Sequence, residues 1–164
     1  MTKDNLNTAE MDAAFALLRK RLSDLAPVME DVGEYMVEST KQNFRDGSSP
    51  IGSKWLPKSQ ATLDAYAARK ETVSTSPLIG PSKALSTTIF AQHDSRSVVW
   101  GSALIYAAVQ QYGAEKGEFG TDPRGVSIPW GDIPARPFIG MSSDDESAIL
   151  DVIEEYLDQA DGAS

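Results

Sequence analysis

Apolar residues recur at helical spacing near both ends of the chain and alternate only in the middle. Toward the N-terminus, Met11, Phe15, Leu18, Leu22 and Leu25 make one stripe, and Asn7 with Glu10, or Thr8 alone, can cap the helix that carries it. Pro27 suits the first turn of a second helix and disrupts a continuous one, so the chain breaks or kinks near Ala26. Val28, Val32, Tyr35, Met36 and Phe44 carry an apolar face onward until Asp46 and Gly47 stop it. The pattern predicts two helices, or one kinked helix, over 1–46.

Gly47 to Pro57, GSSPIGSKWLP, is a turn-rich loop holding Trp55. Ser59 to about Glu71 permits a weakly amphipathic helix, and Pro77 and Pro81 prevent its continuation. Leu85 to Ala91 and Arg96 to Gly101 are β-rich runs around QHDS, predicting a hairpin with a connection of about four or five residues and with Val98 and Trp100 on one face. Leu104 to Tyr112 reads as a short helix with Leu104, Ala108 and Tyr112 on its apolar face and Gly113 as its stop. The stretch 114–132 is a long irregular connection, a length that usually marks function or disorder. It holds three large apolar side chains, Phe119, Ile128 and Trp130, too few to offset its ordering entropy. Mobility in an isolated subunit, and order against a neighbour, are therefore expected.

The segment IPARPFIGMSSDDE, Ile133 to Glu146, joins rigid backbone to a helix start. Pro134 and Pro137 hold Ile133 and Arg136 extended, predicting a strand over 133–139 that adds to the hairpin. Ser143 with Glu146 supplies a capping box, followed by Ile149, Val152, Ile153, Tyr156 and Leu157 at helical spacing. This closing helix, over 142–160, is expected to pack its apolar face on the sheet or the first helix. No internal repeat or heptad array emerges. The fold class is α+β: an N-terminal helical region, a small antiparallel sheet with a hairpin, and a C-terminal amphipathic helix. One domain over 1–164 is expected, with 47–141 as a loop-rich α+β core.

Charge refines this picture. From Ser142 to Ser164 there are eight acids and no Lys or Arg, whereas residues 1–141 carry 16 acids against 15 bases. No dense positive face is visible to neutralise phosphates, so sequence-specific nucleic-acid binding is not expected. The chain has no cysteine, which removes disulfides and thiolate metal sites. Apolar runs stay far short of the roughly 20 residues of a membrane span, and the first residues lack a signal-peptide core, so a soluble protein made in a cytoplasm is expected.

Candidate chemistry is sparse. The single histidine, His93, lies beside Asp94 in the proposed turn, and serines abound, but no GxSxG elbow supports a triad. One histidine does not make a zinc site, and no phosphate-binding or dinucleotide loop is present. No catalytic residue, metal or cofactor is assigned. Large aromatics among turn residues are more informative: Trp55 between Gly52 and Pro57, Phe119 between glycines, and Trp130 between Pro129 and Gly131. They belong either in the domain's own core or at an interface, where Trp, Tyr, Phe and Arg concentrate. The candidate partner-binding residues are Trp55, Phe119, Trp130, Arg136 and Phe138. For Arg136 the choice is between meeting a neighbour and anchoring its own strand.

Four blocks, taken in order, are FRDGSSPIGSKWLPKSQAT (Phe44 to Thr62), LIGPSKALSTTI (Leu78 to Ile89), VVWGSALIYAAVQQYG (Val98 to Gly113) and IPARPFIGMSSDD (Ile133 to Asp145). Together they resemble the virion-morphogenesis or tail-completion family of tailed bacteriophages, especially of Mu-like and related contractile-tailed phages. Two departures stand out. Gly80, Ser82, Lys83 and Ala84 occupy the place of the family's threonine-glycine pair, and Gln110-Gln111 that of a histidine. The resemblance implies an assembly protein without catalysis, a ring subunit at the head-proximal end of a tail or at the neck. Its partners would be other tail or neck proteins and further copies of itself, first in the cytoplasm of the bacterial host and then in the virion. A head-tail connector, neck adaptor or tail terminator is the neighbouring reading, and a small virion-associated hydrolase the one from another class.

Overall fold

The computed structural model describes residues 8–72 and 74–158, so Asn7 as a cap and the last acid, Asp161, lie outside the described residues. In order, the elements are α1 (Thr8–Ser23), α2 (Ala26–Asp46), α3 (Gln60–Ala68), α4 (Ala84–Thr87), β1 (Ile89–His93), β2 (Val98–Ser102), α5 (Ala107–Tyr112) and α6 (Ser143–Asp158). This is an α+β fold with helices at both ends and a two-stranded antiparallel sheet between them.

The helical region is two helices. Pro27 stands in the first turn of α2, where its missing N–H has no intrahelical role to fill, and Asp24 Oδ1 accepts the Ala26 N–H at 3.1 Å. At the other end Gly47 is left-handed at φ 63° and donates to Asn43 O. Between these ends α2 is the axis of the molecule, packing on both strands and on α6. Gly33 permits the closest approach: a Cβ built there would lie 3.0 Å from Ala91 Cβ and 3.1 Å from a Val98 methyl. That contact explains a glycine in mid-helix, where it costs about 1 kcal/mol relative to alanine.

Two apolar clusters hold the fold. Phe44, Trp55, Leu85, Ile89, Ala107 and Phe138 form the first. The second joins Val28, Val32 and Met36 of α2 to Val98 and Trp100 of β2 and to Ile149, Val152, Ile153 and Tyr156 of α6. The apolar face of α6 therefore packs on α2, with β2 in the same cluster, rather than on α1. Most of α1 stays outside both, and none of its residues is buried.

The hairpin pairs Ile89 with Ser102 through His93 with Val98. Its turn is organised by Asp94, whose Oδ1 accepts the N–H groups of Arg96 and Ser97 and whose Oδ2 accepts the Ser97 hydroxyl. These bonds hold the exposed Asp94 carboxyl below its usual range, the Arg96 N–H contributing most. The predicted first strand starts too early. Ser86 and Thr87 donate their hydroxyls to Lys83 O, and Thr88 to Ala84 O, closing a helical turn before the strand can begin.

The expected strand over 133–139 is absent. Ala114 and Ile133 exchange both backbone bonds in an isolated bridge, and Arg136 N–H reaches Gln110 O at 2.8 Å, but no ladder forms. Pro134 and Pro137 remove donors that a ladder needs. Side chains bond the backbone instead: Gln111 Nε2 donates to Ile139 O, Gln111 Oε1 accepts from Phe138 and Ile139 N–H, and Asn43 Nδ2 donates to Phe138 O. Helix α5 is shorter than predicted and turned differently. Leu104 packs on the first cluster, Ala107 is buried and Gln111 faces the extended segment, whereas Tyr112 is exposed. Gly113 then sits at φ 81° against this segment, with only 2.7 Å from a built Cβ to Ile133 O.

Candidate functional site

The extended segment 133–141 separates what is enclosed from what is offered. Phe138 is 1 % exposed and Trp55 7 %, and both rings meet Phe44, at centroid distances of 5.3 Å and 5.6 Å. Trp55 Nε1 donates to Pro137 O at 2.8 Å, so one tryptophan ties the 47–58 loop to the segment through both its ring and its N–H. Arg136 is 8 % exposed, and its guanidinium donates to Leu56 O at 2.9 Å and to Pro57 O at 3.1 Å. Three of the five candidate partner residues thus close their own subunit. Of the two roles weighed for Arg136, the bonds describe the anchor, made through carbonyls rather than an ion pair.

Lys58 adds a second cation beside Arg136. Its ammonium donates to Ile79 O at 2.6 Å and to Ser74 O, and stands 5.9 Å from the Tyr66 ring centroid. Burial pushes the Lys58 ammonium below its usual value, and the Arg136 charge adds to that. Arg136 is likewise lowered by burial. The ion pairs Arg45–Glu38, Arg69–Glu71 and Arg124–Asp122 involve neither of these two cations. The two cations line a groove of about 770 Å³ between α3 and residues 129–136, with Tyr66, Leu78, Trp130 and Pro134 among its apolar walls. Trp130 and Arg136 are brought together there.

Phe119 and Trp130 stand apart from the core, at 54 % and 67 % exposed. Both belong to the 114–132 stretch, which is not irregular throughout but an arm folded back on itself. Gly117 N–H donates to Pro129 O, Phe119 N–H to Ile128 O, Ile128 N–H to Gly120 O and Asp122 N–H to Val126 O. At its tip Asp122 Oδ1 accepts from the Arg124 and Val126 N–H groups, the latter bond contributing most to holding the Asp122 carboxyl below its usual range. The backbone of the arm satisfies itself, and its apolar side chains Phe119, Val126, Ile128 and Trp130 are left to solvent.

Other apolar groups are also outward: Ile51, Leu56 and Met141 border a second hollow of about 410 Å³ against Pro137 and Ile139. The sequence singles out none of these. Gln111 stands out in it only as part of the pair in a histidine's place, and Asp145 only as one of eight acids near the C-terminus. His93 closes β1 on the exposed surface, and Asp94 is engaged in its own turn. Among the described residues no group of three or more His, Asp or Glu side chains is gathered in a metal-binding arrangement, and no helix is long and apolar enough to cross a membrane.

The scaffold thus carries an arm with exposed aromatics and, at its base, a groove lined by apolar side chains and two cations. The chain belongs to the phage virion morphogenesis family, whose pattern it matches over residues 6–158. It is 28 % identical over 151 residues to the Mu-like prophage FluMu G protein 2 of Haemophilus influenzae, covering 92 % of this chain and 91 % of that protein. No solved structure matches the chain.

Proposed function

We propose that this chain is a structural subunit that completes the tail or joins head to tail, working as one copy in a ring. Family membership supports a role in building phage particles. The observation that carries the finer reading is the arm, which spends its backbone bonds on itself and offers Phe119 and Trp130 outward. Exposed aromatics on a supported arm are costly to leave in water and valuable at an interface centre. The groove at the base of the arm, with Lys58 and Arg136 in its wall, is the receiving surface for a neighbouring copy or another tail or neck protein. Such a subunit works by fit and needs no cofactor. It is made in the host cytoplasm and carried into the tail or neck.

The experiment is Phe119→Ala combined with Trp130→Ala in a producing prophage. Neither ring belongs to a core cluster, so the purified double variant should melt within about 2 °C of the parent. Infectious particles should fall sharply, with heads and tails left unjoined or tails unfinished. Parental yield from the double variant would remove the arm from the assembly reading. A connector, neck adaptor or terminator would give the same defect at a different junction, which electron micrographs of the lysate distinguish.

A further inference from the structure

We infer that α1 is a self-association element that pairs antiparallel with α1 of a second copy. Met11, Phe15, Leu18 and Leu22 are spaced 4-3-4 along the helix, the a/d spacing of a two-helix seam. The stripe is shorter than the three or four heptads that declare a coiled coil in a sequence. What singles it out is exposure. Phe15 is 58 % exposed and Leu22 51 %, no residue of α1 is buried, and the next member of the stripe, Leu25, turns instead to the second core cluster. A helix of 16 residues is marginal alone in water and gains stability when its exposed apolar side chains are covered.

Charge selects both the occupant and its direction. Glu10 and Asp12 lie in the first half of α1, and Arg19, Lys20 and Arg21 lie in its last turns. Laid antiparallel on a second copy, Met11 faces Leu22 of that copy, Phe15 faces Leu18, and each acidic half meets a basic half. Asp12 and Arg19 each follow a seam residue by one position, so they flank the same side of the seam and meet across the two-fold axis twice. A parallel pair would instead set the basic run 19–21 against its own copy. Arg21 already serves the subunit, donating to Tyr156 O at 3.1 Å, and is not needed for the pairing. Two helices about 24 Å long make a small interface, so association should be weak in free solution.

The inference does not rest on the position proposed in the virion. Sedimentation equilibrium of the full chain from about 5 to 500 µM should show a concentration-dependent dimer. Phe15→Glu should leave a monomer with an unchanged melting transition, because α1 contributes nothing buried. Asp12→Arg and Arg19→Asp should each raise the dissociation constant about tenfold, and the double reversal should restore it to within about threefold. Failure of the double reversal to restore association overturns the antiparallel pairing. A parent that stays monomeric throughout, or a Phe15→Glu variant that associates like the parent, overturns the seam. So does a monomer that gains mass only when another virion protein is added, since the seam then belongs to that protein.

Discussion

Asp145 joins the start of α6 to the middle of α2, and it does so with a carboxylate that is 4 % exposed. Burial alone would raise its pKa, but the Ser142 N–H and the hydroxyls of Ser39, Ser142 and Tyr35 outweigh this and hold the carboxyl below its usual range. Its reciprocal bonds with Ser142 make the capping box one residue earlier than the sequence suggests. Two adjacent serines and two adjacent acids, Ser142-Ser143 and Asp145-Glu146, leave the register open in sequence. Ser39, from a distant helix, settles it at 2.7 Å. Because the folded carboxyl titrates below its unfolded counterpart, its contribution is full above about pH 4 and is lost as pH falls through the folded value. Asp145→Asn should cost about 1–2 kcal/mol near neutrality and flatten the loss of stability below about pH 4, read from urea midpoints across that range. Trp55 makes a separate case. Trp55→Ala removes a core ring and leaves Pro137 O without its donor, so it should cost about 3 kcal/mol or more in the same assay. Parental stability with failed assembly would instead make Trp55 a contact residue.

At the scale of elements, what the sequence predicts well is whatever its own residues enforce. Pro27 and Gly47 bracket α2, and Asp94 organises the hairpin turn, all through local bonds. What is lost depends on neighbours. The segment 133–139 is extended as its prolines require, yet it is held by Gln111, Asn43 and Trp55 from three other places in the chain, which no periodicity announces. The arm misleads for a related reason: its backbone bonds and the isolated bridge of Thr121 with Ser127 join residues too glycine-rich to look like strands. Helix α6 shows both sides. Its apolar face was readable, while its cover, α2, was not. Glu154, Glu155 and Asp158 lie exposed toward its C-terminal end, where they oppose the helix dipole. Replacing all three with glutamine should leave thermal stability equal or slightly higher. If this charge repels DNA or meets a basic partner, the yield of infectious particles should fall. Parental yield at physiological salt would reduce the acids to solvation.

The whole molecule is arranged around α2, which serves both clusters and leaves the aromatics of the arm and the stripe on α1 outside them, with the groove beneath the arm open between. Of the candidate partner residues, Phe119 and Trp130 lie exposed, a placement that the sequence left open for them and for Trp55 alike. Trp55, Arg136 and Phe138 carry the same residue types into the interior, because glycine- and proline-flanked aromatics look alike whether the loop folds inward or outward. The central claim is that this chain is built into the particle at the tail or neck. Immunogold labelling of an epitope-tagged chain in purified particles tests it most directly. Label is expected at one end of the tail or at the head-tail junction of nearly every intact particle. Particles that are complete and infectious but carry no tagged chain would contradict the account.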